Sequence, residues 1–105
     1  MLGEVDETPE HEFDGEVVEW RGPAPYWFLR VPAEVSDDIK EAARGIEYWG
    51  QVPVTVRIGG AVFTTALFPK DGCYLVPLKV AARREAGIDV ATDTVLRAGL
   101  DVGRR

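Results

Sequence analysis

Five residues spread along the chain have the side-chain types of a site for an anionic or aromatic ligand. Lys79 and Arg83 are four residues apart, so a helix would place both cations on one face. Tryptophan rings, with Tyr48 beside them, would add an apolar wall, and a threonine would add a hydroxyl. Cations pair with carboxylates and rings offer stacking area. We therefore predict a ligand-binding site that comprises Trp27, Trp49, Thr65, Lys79 and Arg83.

The same residues have an ordinary structural interpretation. Lys79 and Arg83 would then form a solvated helix face, or pair with acids such as Glu85 and Asp89. Tryptophans are commonly core residues. The sequence leaves both interpretations open.

The sequence does not contain the histidines and cysteines that common catalytic and zinc sites need. His11 is the single histidine and Cys73 the single cysteine. A catalytic triad needs a base packed against its nucleophile, and His11 falls in a predicted tail. One Cys and one His cannot supply the three or four ligands of a zinc site. The catalytic residues therefore stay unknown, and we predict no metal and no cofactor.

The net charge of −6 comes from the start of the chain. Eight of the eighteen acids lie in the first twenty residues, whereas all twelve Lys and Arg lie from Arg21 onward. We predict an acidic, disordered tail over residues 1–11 and one small domain over residues 12–105. The tail would either stay solvated or fold over a basic patch.

Several features favour the cytoplasm. Cys73 alone cannot form a disulfide within the chain, which suits a reducing compartment. Residues 1–19 contain no Lys or Arg, unlike a signal peptide. No apolar run approaches the roughly 20 residues that a membrane helix needs, so we predict no membrane association.

Hydrophobic periodicity predicts a mainly β fold, a β-barrel with two short helices. About six strands and the helices follow in the order β-β-α-β-β-β-α-β. Gly59-Gly60 predicts a tight hairpin between the third and fourth strands, and Pro69 to Gly72 predicts the next turn, so strands three to five form a meander. Gly87 ends the second helix. Gly99 predicts a bulge or a tight bend in the last strand.

Short motifs follow one another in a fixed order from about Phe13 to Asp101. They are Trp27-Phe28 with Val31-Pro32, Trp49-Gly50 with Val52-Pro53-Val54, Ile58-Gly59-Gly60, Thr65 to Pro69, Tyr74 to Lys79, Arg83, Gly87-Ile88 and Asp93-Thr94-Val95. With these motifs in this order, the chain resembles the members of a bacterial family, the domain of unknown function DUF1905. The resemblance implies a small split barrel, similar to the barrels of antitoxins and swapped-hairpin transcription regulators. The chain departs from the family at Ala66, where Ser is usual, and at Thr92, where Gly is usual.

Three functions from different classes fit this sequence. The first is a non-catalytic binding domain for a small anionic or aromatic ligand or a protein partner. The second is a small pocket enzyme that acts by orienting its substrate, which needs an open pocket inside the barrel. The third is an antitoxin-like or nucleic-acid-associated regulator, although the dispersed basic residues make nucleic acid an unfavoured partner. A homodimer through exposed strand edges is compatible with each.

Overall fold

Six strands and two helices make up the part of the chain that the computed structural model describes, residues 8–46 and 50–103. The predicted order of strands and helices is confirmed. The elements are β1 (His11–Trp20), β2 (Tyr26–Arg30), α1 (Ala33–Ala42), β3 (Val52–Ile58), β4 (Ala61–Lys70), β5 (Cys73–Pro77), α2 (Val80–Ala86) and β6 (Val95–Val102).

The strands form a closed antiparallel barrel, in the order β1-β2-β5-β4-β3-β6. The predicted mainly β class is therefore confirmed. Each of the six strands has two neighbours in this ring. Within the described residues, therefore, no strand is unpaired along one whole side, and none offers a full free edge for a homodimer.

Tight turns join β3, β4 and β5, and they confirm the predicted meander. Ile58 pairs with Ala61 around the two glycines, and Lys70 pairs with Cys73 around Asp71 and Gly72. Asp71 has a φ of 52° and Gly72 a φ of 82°. Two consecutive positive φ values are typical of the hairpin turn whose twist matches that of the flanking strands.

The interior of the barrel is filled with apolar side chains. Alternate residues of each strand point inward, so Val54 and Val56 are buried while Thr55 between them is only partly so. All six strands and α1 contribute to this core, for example through Phe13, Leu29, Ile39, Val56, Leu67, Val76 and Leu100.

A glycine follows each helix, and α2 ends at Gly87 as the sequence predicts. Gly45 follows α1 with a φ of 87°, and Gly87 closes α2 in the left-handed conformation with a φ of 72°. Within residues 8–46 and 50–103, no helix is long and apolar enough to cross a membrane.

Of the two alternatives predicted at Gly99, the bulge is wrong and the tight bend stays a prediction. Gly99 pairs with Glu12 on one side and Arg57 on the other, and both ladders run through it without an extra residue. A β-carbon at Gly99 would collide with the ring of Pro9. Glycine is required because the chain before β1 crosses β6 at this point.

The predicted tail falls mainly on residues 1–7, which lie outside the described residues. His11 is the first residue of β1. Just before it, the Glu10 amide donates to the Asp101 carboxylate at 2.8 Å, and the Glu10 carboxylate accepts from the Val102 amide at 3.0 Å. The division into tail and domain stays a prediction.

Candidate functional site

The ladder between β4 and β5 ends early because of a proline. Its three pairs join Phe68 through Lys70 to Leu75 through Cys73. Two residues further on, the same register would place Ala66 opposite Pro77. Pro77 has no N–H to donate, so the ladder cannot continue. Beyond this point β4 stays paired with β3 on one side, while α2 takes the place of β5 as its other neighbour.

A surface groove of about 290 Å³ lies where the two strands separate. We call it the Lys79 groove. Its lining comprises Tyr26, Phe28, Gln51, Thr65, Ala66, Phe68, Pro77 and Lys79. A second groove of about 150 Å³ extends along α2 and shares Thr65, Pro77 and Lys79 with the first.

Three aromatic rings form one wall of the Lys79 groove. The ring centroids of Tyr26 and Phe28 are 5.0 Å apart, and those of Phe28 and Phe68 are 6.3 Å apart in an edge-on arrangement at 69°. Tyr26 and Phe28 point outward because Leu29, in the opposite phase of β2, is fully buried. The rings therefore offer stacking area on the outside of the barrel.

Polar groups complete the lining. Lys79 is exposed at the N-cap of α2 and forms no salt bridge with any described residue. Thr65 brings a hydroxyl and Gln51 an amide. An ammonium group and neutral donors next to rings can hold a ligand that has an anionic end and an apolar body.

The predicted site residues divide into two groups. Thr65 and Lys79 line the same groove, and their contact with a ligand stays a prediction. Trp27 lies in the phase of Leu29, is partly buried and packs against the core. Arg83 is partly buried and is absent from the lining of both grooves. Trp49, with its neighbour Tyr48, lies outside the described residues.

Trp27 and Arg83 position Lys79 by holding the connection between β5 and α2. The Leu78 amide donates to the Trp27 carbonyl at 2.9 Å, and Arg83 Nε donates to the Leu78 carbonyl at 3.1 Å. Two residues chosen as ligand contacts thus bind the backbone next to Lys79. Their contact with a ligand stays a prediction.

The three rings of the wall are not among the site residues predicted from the sequence. Trp27 is predicted there from its residue type, although the alternation of Trp27, Leu29 and Val31 is typical of an inward-facing set. The other phase, Tyr26 and Phe28, is the outward one. The alternation within β2 is enough to predict that Tyr26 and Phe28 point outward. The position of Phe68 beside them follows only from the pairing of β4 with β5.

Metal binding finds no support in the described residues. No three His, Cys, Asp or Glu side chains come together there as a possible metal site. Cys73 is partly buried and free.

Taken together, the fold and site define a closed antiparallel barrel with an external groove where β4 leaves β5. The family model described as "Domain of unknown function (DUF1905)" matches residues 13–96, so the chain belongs to this family. The resemblance inferred from the ordered motifs is confirmed. Ala66, where the resemblance expects Ser, lines the groove with a methyl group. No curated protein and no solved structure matches the chain.

Proposed function

We propose that this protein is a non-catalytic binding domain that holds a small aromatic carboxylate in the Lys79 groove. One observation carries the proposal: an ammonium group without a carboxylate partner among the described residues lines the same groove as three outward-facing rings. The rings would contact the apolar body of the ligand and Lys79 its charged end.

The groove volume limits the size of the ligand. About 290 Å³, with about 150 Å³ in the adjoining groove, is at the lower end of the range for small-molecule sites. One or two fused rings with a single carboxylate would fill it. The groove is open and Lys79 is exposed, so we expect weak binding, with a dissociation constant of roughly 10⁻⁴ M.

The packing of the barrel favours binding over catalysis. Apolar side chains fill the interior, whereas a pocket enzyme would need an open interior with Lys79 or a carboxylate pointing inward. Lys79 is instead exposed at the surface. The groove can hold a ligand without enclosing it.

The distribution of charge favours a small ligand over nucleic acid. Several cations already contact carboxylates, including Arg30 with Glu16 at 2.7 Å and Arg97 with Glu12 at 3.1 Å. Cations that are neutralised by neighbouring carboxylates contribute little to binding the phosphates of a nucleic acid. We also propose a cytoplasmic location, which the single cysteine supports.

The test is a titration followed by amide chemical shifts, with 2-naphthoate as the ligand and 2-naphthamide as its neutral counterpart. We expect shift changes to concentrate at Phe28, Thr65 and Lys79. The carboxylate should bind about fivefold more tightly than the amide, because an exposed charge pair contributes about 1 kcal/mol.

Two variants separate the role of Lys79 from the general effect of charge. Lys79→Ala should remove the preference for the carboxylate. Arg84→Ala removes one positive charge from an exposed site on the same helix, outside both grooves, and should leave the preference intact. Equal binding of the two ligands by the unmodified protein, or shift changes centred elsewhere, would contradict the proposal.

A further inference from the structure

A second surface, which shares Phe28 with the Lys79 groove but does not include Lys79, covers the outer side of β1, β2 and β5 near the β4–β5 turn. It holds a groove of about 330 Å³. We call this surface the Trp20 face. Its lining comprises Val18, Glu19, Trp20, Phe28, Arg30, Lys70, Asp71, Cys73 and Leu75.

Trp20 is the prominent apolar residue of this face. It is 51% exposed at the end of β1, and the Lys70 ammonium lies 5.8 Å from the centroid of its ring. Next to it, Val18 and Phe28 pair across β1 and β2. A half-exposed tryptophan beside a groove of mixed apolar and charged lining is typical of a contact surface between proteins.

The charges of the Trp20 face cancel. Glu19 and Asp71 are negative, Arg30 and Lys70 are positive, and the four give a net charge of zero. Arg30 contacts the Glu16 carboxylate at 2.7 Å, and Lys70 contacts that of Asp71 at 3.7 Å. The acidic excess of the chain lies in its first twenty residues, whereas this face is neutral, so two copies of the face meet without net repulsion.

We propose that the Trp20 face binds the same face of a second copy of this chain. A two-fold contact sets a patch against itself, so the patch must contain both signs of charge and an apolar centre. The Trp20 face contains both. Lys70 of one copy would approach an acid of the other, while each Trp20 would enter the groove of its partner.

The size of the face predicts a weak dimer. Three strands spaced about 4.8 Å apart, over about five residues of about 3.3 Å each, cover roughly 240 Å² in projection. Stable interfaces bury about 800 Å² per partner. We therefore expect reversible association with a dissociation constant of roughly 10⁻⁵ to 10⁻⁴ M.

Sedimentation velocity over a concentration series tests the dimer. The unmodified chain should pass from monomer to dimer between about 1 and 500 µM. Lys70→Glu gives the face a charge of −2 and should weaken association at least about tenfold. Arg84→Glu makes the same change of charge on exposed α2, away from the face, and should leave association unchanged.

A mixing experiment tests the two-fold geometry. Glu19→Lys gives the face a charge of +2, so this variant alone should associate at least about tenfold more weakly than the unmodified chain, as should Lys70→Glu. An equimolar mixture places opposite charges face to face and should restore the dimer. A monomer throughout the series, or a dimer that is insensitive to Lys70→Glu, would overturn the proposal.

Cys73 provides an independent reporter because it lines the face and is the only cysteine of the chain. Its reaction rate with a thiol reagent should fall as the dimer fraction rises, and Trp20→Ala should abolish this dependence. Circular dichroism checks that the variant is folded. If a dimer forms but the reaction rate of the thiol does not change with the dimer fraction, the contact lies elsewhere. This result would also overturn the proposal.

Discussion

Ser36 is the one buried polar residue among the described residues, with 3% of its surface exposed. It lies on α1, above the place where β2 and β5 separate. Its hydroxyl donates to the Val31 carbonyl at 3.1 Å and accepts from the Tyr74 amide at 3.0 Å. One side chain therefore completes the hydrogen bonding of both strands and attaches α1 to the barrel.

Ser36→Ala should lower the free energy of unfolding by about 2 to 3 kcal/mol. The substitution deprives a buried carbonyl and a buried amide of this partner, and each such loss costs roughly 1–3 kcal/mol. The higher helix propensity of alanine offsets about 0.5 kcal/mol of this loss in the free energy of unfolding. For a domain of this size, the corresponding fall in melting temperature is about 8 to 12 °C, at about 4 °C per kcal/mol.

Urea denaturation followed by tryptophan fluorescence measures this loss. Asp38→Ala, on the exposed side of α1, changes helix propensity alone and should be neutral or slightly stabilising. Ser36→Thr keeps the hydroxyl and should retain most of the stability. A loss below about 0.5 kcal/mol in Ser36→Ala would refute the reasoning, because it would mean that both backbone groups find other partners.

Three further substitutions test the backbone of the barrel by the same measurement. Gly15→Ala should cost about 2 kcal/mol, since the new β-carbon would lie 2.6 Å from the Arg30 carbonyl oxygen, and a stable variant would contradict the close approach of β1 and β2. Gly60→Ala, at a turn with no atom within 4 Å, should change stability by less than about 0.5 kcal/mol. Gly87→Ala should cost about 1 kcal/mol, because its φ of 72° disfavours a side chain, and a neutral result would argue against the left-handed cap.

The fold could be predicted from the sequence because its signals are local. Alternating valines in β3 indicate one buried face, and Gly59-Gly60 fixes where the chain turns back. The left-handed position of Gly87 follows from its place at the end of a helical segment. Each of these inferences uses residues within a few positions of one another.

The details of the site could not be predicted because they depend on distant residues. Pro77 shapes the Lys79 groove because the pairing between β4 and β5 ends where Pro77 would lie opposite Ala66. This position follows only from the register of β4 and β5, which joins residues from two different strands. Gly99 reads as a bulge in isolation, yet its cause is Pro9, far away in the sequence. Likewise, the alternation within β2 indicates that Phe28 points outward, but only the pairing of β4 with β5 brings Phe68 beside it.

The two sides of the outer barrel surface differ, and both proposed sites lie on the side that carries the aromatic rings. On β3, β6 and the first part of β1, outward positions carry charged pairs such as Arg97 with Asp14 at 3.5 Å and Arg57 with Asp101 at 4.0 Å. On β2, β5 and the ends of β1 and β4, rings and aliphatic groups stand among the charges. Side chains that serve only to keep a barrel hydrated would not need this division. Its presence argues that contact with other molecules, rather than stability alone, determines the residues on the β2 side.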